Sequence, residues 1–525
     1  MKSGHGGAGQ GPGNLGSGKP GRDANREIEL KLGLPPAVKE AVFAHQRLQT
    51  RVGGAELLDS IYYDTAALDL YRQGVSLRMR TRGASRVQTV KCAGAVAAGL
   101  SDRGEWERPW DGRFDFFGIG DPRAVNLLER CRDHLVPVFS TCFRREERLF
   151  QEGGVAIRVT VDEGVIRTSD AEEPLCELEL ELDAGRPIDL LRLALMLTET
   201  LPLWPEDRSK AERGYRLYSG IQLPEQIVPA PFTPASSAID AFRALVAGEV
   251  LRWQRSLRLA AADPVEGVHQ TRTSLRRLRA LVRLFEPLLP TGFGQIWRLR
   301  LGDVARELGD LRELDVCCDE VLAEVRGKKS SGNEDGPLAG ALRVVREHLE
   351  AERSAARELM ASRLALASQG RLMLELMAAV TDVPDAPEIL LVDMADVRMD
   401  WLRKRLHKRA EALPAADAEA WHALRIAAKQ LRHGLDFLAP LWPDRAVAHY
   451  RRHLAAIQRR LGRLQDWENV AHRLRDQGTP ESAKVQRWLE RSHSRRVVRW
   501  RRKSLEDAHE LLAQKPPWKR SRAAK

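Results

Sequence analysis

The chain has 525 residues, 43% hydrophobic and 30% charged, with a formal net charge of +11. That length exceeds one ordinary domain, and the composition excludes a wholly disordered chain. No uncharged apolar run approaches the ~18 residues of a membrane span and the six cysteines show no CxxC spacing, so a soluble protein of the reducing cytoplasm is expected.

Residues 1–24 are glycine-rich and hold almost nothing to bury, which predicts a disordered tail. From 25 to 219 short alternating segments dominate (REIELKL, SLRMRTR, VQTVK, AIRVTVDEGVI, CELELEL), with helical stretches near 36–49, 122–134 and 188–201. A mainly antiparallel β domain follows from this pattern. Residues 220–235 carry four closely spaced prolines and read as a linker. From 236 to 512, Leu, Ala and Arg recur at spacings of three and four, the signature of an all-helical domain, and 513–525 form a basic tail. Charge divides at the same place: residues 1–220 carry 31 Lys and Arg against 33 Asp and Glu, whereas 221–525 carry 53 against 40. A basic second half suits a polyanionic partner.

The helical half repeats itself at a constant offset of 153. His269, Arg272, Arg276, Leu278 and Arg279 reappear as His422, Arg425, Lys429, Leu431 and Arg432, and Leu308-Gly309 reappears as Leu461-Gly462. Two related helical bundles about a pseudo-twofold axis are expected. His269, Arg272, Arg276, Arg279 and Arg283 form one stripe of their helix beside an apolar stripe of Leu275, Leu278, Val282 and Phe285. A single such stripe is also what a solvated helix face looks like. Its copy at His422, Arg425, Lys429 and Arg432 suggests instead one groove for a repeating anion. Trp253, Trp297 and Trp401 read as core packing.

In the first half, residues i and i+2 of a strand share a face, so Glu27, Glu29 and Lys31 line one side of REIELKL, and Glu177, Glu179 and Glu181 one side of CELELEL. Arg78 and Arg80 share a face, Lys91 sits on another strand, and Arg103, Arg145 and Lys210 lie in further polar segments. Each face alone could be the solvated side of a half-buried sheet. If the sheet closes into a barrel with helices outside, the charged faces point into a polar lumen. Carboxylates there suit hard divalent cations, and Lys and Arg suit phosphate oxygens.

The first strand's Glu27-Ile28-Glu29-Leu30-Lys31 resembles the ExExK signature of the CYTH family of tunnel-fold triphosphatases. The resemblance continues through IYYDT (61–65), SLRMR (76–80), TVK (89–91), GLSDRGEWER (99–108), FSTCFRRE (139–146), VTVDEG (159–164), PLCELELEL (174–182) and SKAERGY (209–215). It is closer to the bacterial inorganic triphosphatases than to the thiamine-triphosphatase or adenylate-cyclase branches. VHQTRTSLRRLR (268–279), WHALRIAAKQLR (421–432), LGDLRELD (308–315) and LGRLQDWENV (461–470) resemble the CHAD family, helical domains associated with inorganic polyphosphate.

These resemblances imply an α+β multidomain chain: a closed antiparallel β-barrel, the triphosphate tunnel, with outer helices, then an all-α domain. They imply metal-dependent hydrolysis of inorganic triphosphate, with Glu27, Glu29, Lys31 and Glu179 catalytic. Glu27, Glu29, Glu177, Glu179 and Glu181 would supply ligands to Mg²⁺ or Mn²⁺. Lys31, Arg78, Arg80, Lys91, Arg103, Arg145 and Lys210 would hold the triphosphate, and the two basic stripes inorganic polyphosphate, near whose granules the protein would sit. The histidines are read either as phosphate contacts or as hydrogen-bonding residues of the bundle centre. A non-enzymatic polyphosphate-binding protein and a hydrolase of an organic triphosphate such as thiamine triphosphate are the alternatives. Nucleic acid has only the basic half and the KRSR run (519–522) in its favour, with no recognition motif.

Overall fold

The computed structural model describes residues 26–48, 54–92, 95–97, 99–220, 232–323, 337–385, 389–413 and 418–519. The glycine-rich tail and most of the proline-rich linker lie outside the described residues.

Ten strands form one antiparallel sheet: β1 (Arg26–Gly33), β2 (Glu56–Asp64), β3 (Val75–Arg82), β4 (Ser85–Cys92), β5 (Ala95–Ala97), β6 (Leu100–Pro109), β7 (Val136–Glu152), β8 (Val155–Arg167), β9 (Glu172–Ala184) and β10 (Trp204–Pro205). The order runs β10-β1-β9-β8-β7-β2-β3-β4-β6-β5, and β1 also pairs with β6 through Arg26–Leu30. Gly153 and Gly154, at φ +56° and +83°, supply the positive-φ pair that a two-residue hairpin turn between β7 and β8 requires. The register sets Glu29 opposite Glu181 and Lys31 opposite Glu179. Because side chains alternate, that register brings the charged faces of both strands to one side and Leu30, Leu32, Leu178 and Leu180, all fully buried, to the other.

Among the described residues five α-helices accompany the sheet: α1 (Lys39–Ala44), α2 (Asp69–Arg72), α3 (Pro122–Cys131), α4 (Pro187–Leu197) and α5 (Lys210–Ser219). α5 starts where Ser209 accepts the Glu212 N–H at 3.1 Å, which places Lys210 in its first turn. α4 packs its Leu190, Leu191 and Leu193 against the apolar face of the sheet.

The remainder is helical: α6 (Ala238–Ala262), α7 (Pro264–Phe285), α8 (Phe293–Glu307), α9 (Gly309–Asp315), α10 (Pro337–Ala361), α11 (Leu366–Thr381), α12 (Leu391–Glu411), α13 (Ala418–Leu438), α14 (Asp444–Gln477) and α15 (Pro480–Ala513). At the 153-residue offset α7 corresponds to α13. The α8–α9 segment corresponds to α14, but the first copy is broken at Leu308-Gly309 and runs on into a π-helical turn, Val316–Val321, whereas α14 is continuous for 34 residues. Trp253 and Trp297 are buried; Trp401 is instead exposed between the guanidiniums of Arg398 and Arg405, at 4.5 and 4.8 Å. The basic C-terminal stretch is anchored by Trp518, fully buried and donating to Asp400 at 2.7 Å.

One apolar core joins the two halves. It runs from Leu30, Leu180 and Leu191 into Phe242 and Trp253 of α6 and Met373 of α11. Gly370 of α11 sits so close to Leu203 and Trp204 that an added Cβ would lie 2.7 Å from either backbone.

Candidate functional sites

The charged face of the sheet opens on a cavity of about 570 Å³. Glu27, Glu29 and Lys31 of β1, Arg78 and Arg80 of β3, Lys91 of β4, Arg145 of β7, Glu179 and Glu181 of β9 and Lys210 of α5 all line it. Glu177 lies just behind, buried, bound by Lys210 and 3.6 Å from Lys31. Arg103 pairs through its backbone with Glu27, and its side chain lies outside the described residues.

Within the cavity opposite charges alternate. Asp162, Glu177 and Glu179 bring carboxylate oxygens within 4.8 Å of one another. Arg145 donates to Asp162 at 2.7 and 2.6 Å and to Glu179 at 2.6 Å; Lys210 donates to Glu179 at 3.0 Å, and Lys31 stands 3.1 Å from it. Burial disfavours the Glu179 carboxylate, but Lys210, Lys31 and Arg145 outweigh it and hold the group well below the usual range. Glu177 moves up, because burial prevails over the same cations. On the opposite wall Lys91 bridges Glu27 at 3.0 Å and Glu105 at 2.7 Å. Despite its burial, Glu105 is drawn down to about 2 by Lys91 and Arg78.

Two groups stand in like-charged surroundings. Burial, together with Glu27, Asp183 and Glu29, pushes Glu181 up to about 7 against the pull of Arg158. Arg80 is lowered to about 10 by burial and by Arg78 and Arg145. Glu181 is thus crowded by carboxylates and Arg80 by guanidiniums.

Sequence reasoning missed Tyr62, Glu105, Glu107, Arg158 and Asp162 here. Asp162 was findable: it alternates with buried Val159 and Val161 in VTVDEG, which puts it on the polar face of β8. Tyr62 stacks on Phe139 at 4.4 Å, and Arg78 and Arg80 outweigh its burial to lower its phenol.

The second cavity, about 520 Å³, lies between the two helical copies. His269, Arg272 and Arg276 of α7 face it together with His422, Arg425 and Lys429 of α13, so both copies of the stripe contribute. Arg279, Arg283 and Arg432 do not line it. Arg279 lies over Gly302 of α8, where an added Cβ would come within 3.3 Å of its guanidinium, and Arg432 donates to Gln458 at 2.9 Å. Arg312, Glu313, Glu320, Gln465, Asp466 and Arg473 are wall residues the stripes did not announce. His422 shares a 2.7 Å hydrogen bond with Gln465, and burial with nearby Arg312 lowers His269. Lys429 falls to about 7 through burial and the charges of Arg276, Arg425, Arg279 and Arg272. The buried Nε atoms of Arg276 and Arg425 have no hydrogen-bond acceptor among the described residues.

A mixed-sign cavity on an antiparallel sheet, followed by a basic cavity between repeated helices, defines a two-domain protein with charged interior sites. Residues 25–215 match the CYTH domain and residues 244–475 the CHAD domain. The chain is 30% identical over 204 residues to an inorganic triphosphatase of Haemophilus influenzae, an alignment covering 37% of this chain and 55% of that protein, so the chain spans about half the length of that relative. It is 30% identical over 412 residues to an uncharacterized protein of Mycobacterium tuberculosis, covering 72% of this chain and 75% of that one. The crystal structure of the CHAD domain from the plant Ricinus communis aligns at 25% identity and a TM-score of 0.44 over 57% of this chain and 99% of that one. The chain belongs to the family of proteins that join a CYTH domain to a CHAD domain.

No helix among the described residues is long and apolar enough to cross a membrane.

Proposed function

We propose that the N-terminal domain is a triphosphate tunnel that hydrolyses inorganic triphosphate to diphosphate and phosphate, and that the helical domain binds inorganic polyphosphate. The observation that carries the first part is the convergence of ten sequence-selected charged residues on one cavity, cations and carboxylates interleaved along its wall. Pairing of β1 with both β9 and β6 supports reading the sheet as a closed barrel. The activity named for the Haemophilus influenzae relative agrees with this reading.

In this reading Arg78, Arg80, Arg145, Lys31, Lys91 and Lys210 neutralise the phosphate oxygens, and Arg80's crowding is relieved when the anion enters. Lys31 and Lys210, already held at Glu179, keep the chain in line for attack by water. The oxygen-only donor set of Glu27, Glu29, Glu179 and Glu181, with Glu177 behind it, fits Mg²⁺ or Mn²⁺, and the like-charge crowding at Glu181 is what such a cation offsets. A bound divalent ion supplies charge neutralisation on the transferred phosphoryl group and a more acidic water.

For the helical domain, the support is a cavity with cations from both repeats and orphaned guanidinium donors at Arg276 and Arg425. The test is a phosphate-release panel over triphosphate, nucleoside triphosphates and thiamine triphosphate, each with Mg²⁺ and Mn²⁺. Triphosphate as the preferred substrate is the expected result; no metal-dependent release from any of them would leave the tunnel as an anion receptor.

A further inference from the structure

Strand β1 of the N-terminal domain is held by a segment that the helical domain in turn grips. β10 pairs with β1 by setting Pro205 opposite Leu32 and Trp204 opposite Gly33. The next residue, Glu206, donates its backbone N–H to the Lys31 carbonyl at 2.9 Å, while the Lys31 N–H goes to Gly99 at 2.9 Å. Gly99 has φ +81°, and an added Cβ would lie 2.2 Å from the Lys31 carbonyl oxygen. Both polar backbone groups of Lys31 are therefore bound, and Lys31 is the residue whose ammonium stands at Glu179.

What fixes Glu206 comes from the helical domain. The carboxylates of Glu206 and Asp207 keep only 8% and 2% of their side-chain surface exposed. Arg258 of α6 donates to Glu206 at 2.7 Å and also binds Asp207; Arg255 reaches Asp207 at 3.4 Å, and Gln254 binds the Pro205 carbonyl. Arg208 adds a 3.3 Å contact to Glu206 from within the first domain. Buried carboxylates need such partners, and one guanidinium spanning two of them fixes their positions as well as their charge.

We infer that Arg258 is a positioning residue for the N-terminal site: through Glu206 and Asp207 it sets the place of the Lys31 backbone, so the helical domain is part of the apparatus that orders the tunnel. This rests on the triphosphatase reading. It goes beyond that reading in making turnover depend on a contact between domains.

The full chain is tested as Arg258→Met, Arg258→Lys and Arg192→Gln. The last breaks the 3.4 Å contact of Arg192 with Asp382, an exposed ion pair across the same domain boundary that involves neither Glu206 nor Asp207. Phosphate release from triphosphate is measured per folded molecule, below the melting temperature of every variant. Arg258→Met is expected to lower kcat/KM by about 10- to 100-fold and to raise KM, as a displaced Lys31 would. Arg258→Lys should recover part of the loss, and Arg192→Gln should match the wild type. Loss of thermal stability with unchanged kcat and KM per folded molecule would overturn the inference. If Arg258→Met fails to fold, Arg258→Lys decides, since wild-type kinetics there would also overturn it. Absence of phosphate release from the wild type sinks the hydrolytic reading instead. The melting shift induced by triphosphate then serves as readout, smaller in Arg258→Met if the inference holds and unchanged if it does not.

Discussion

Arg145 holds Asp162, whose side chain has no exposed surface, through two hydrogen bonds of 2.7 and 2.6 Å. The same guanidinium reaches Glu179, so one arginine ties β7 to β8 and β9 across the cavity floor. Removing the carboxylate takes two hydrogen bonds from Arg145 and leaves it and Lys210 to share Glu179, with Glu177 at Lys210. Asp162→Ala should therefore destabilise the protein, by up to the ~3–5 kcal/mol that breaking a buried pair from one side costs. Urea denaturation of the variant checks this; a change below ~1 kcal/mol would mean the pair is solvated in solution.

Glu29→Gln should fold and lose metal-dependent phosphate release. An amide keeps the shape of the side chain but not the charge that a divalent ion needs. The loss should be no smaller than the ~10–100-fold that follows removal of a group merely supporting a metal ligand. Circular dichroism establishes the fold, and phosphate release at saturating metal measures the loss. Turnover near that of the wild type would take Glu29 out of the site.

Arg80 is crowded by Arg78 and Arg145, so Arg80→Ala should leave the empty protein at least as stable as the wild type. Its melting shift in triphosphate should shrink, because the anion no longer relieves that repulsion. Differential scanning calorimetry with and without triphosphate tests both statements together.

Lys429 supplies a pH dependence. Its pKa of about 7 lies below the ~10.4 of an unfolded lysine, so the folded empty protein disfavours the charged form. That depression costs stability progressively as pH falls from ~10.4 to about 7, and the cost is constant below. An anion that favours the ammonium must gain affinity over the same window, by up to ~tenfold per pH unit above 7, flattening beneath it. Arg272, Arg276 and Arg279 of α7 and Arg425 of α13 act on it, and Glu313, Glu320 and Asp466 share the cavity wall. Polyphosphate titrations between pH 9 and 6 should show the rise, and Lys429→Met should flatten it.

Arg272→Glu and Arg425→Glu should each weaken polyphosphate binding and make its salt dependence shallower, since both face one cavity from opposite copies. Affinities at several salt concentrations decide the matter; a wild-type slope in both variants would reduce the stripes to solvated faces.

Much of the first cavity's wall was legible because a strand's period of two puts every second residue on one face. Glu27, Glu29 and Lys31 could be sorted from Ile28, Leu30 and Leu32 without knowing the partner strands. Asp162 escaped because it is the one carboxylate on its face of β8, and its partners Arg145 and Lys210 are distant in sequence. Of the basic stripe of α7 only His269, Arg272 and Arg276 line the second cavity. From His269 to Arg283 is fourteen residues, about 21 Å at 1.5 Å per residue, so Arg279 and Arg283 pass beyond the cavity on the face that His269 begins. The joint core was hidden because the four prolines near 224–234 suggest independent halves, whereas the apolar surfaces of α4 and α11 that meet across them carry no local mark of their partner.

The pairing of β1 on both edges has a bearing on behaviour at high concentration. Among the described residues every strand longer than three residues has hydrogen-bonded neighbours on both sides over part of its length, and the strands at the ends of the order are the three-residue β5 and the two-residue, proline-containing β10. Open edges of long strands are the templates on which extended chains add and aggregates grow. Among the described residues this sheet offers almost none, so copies of the protein can crowd together without their strands recruiting one another.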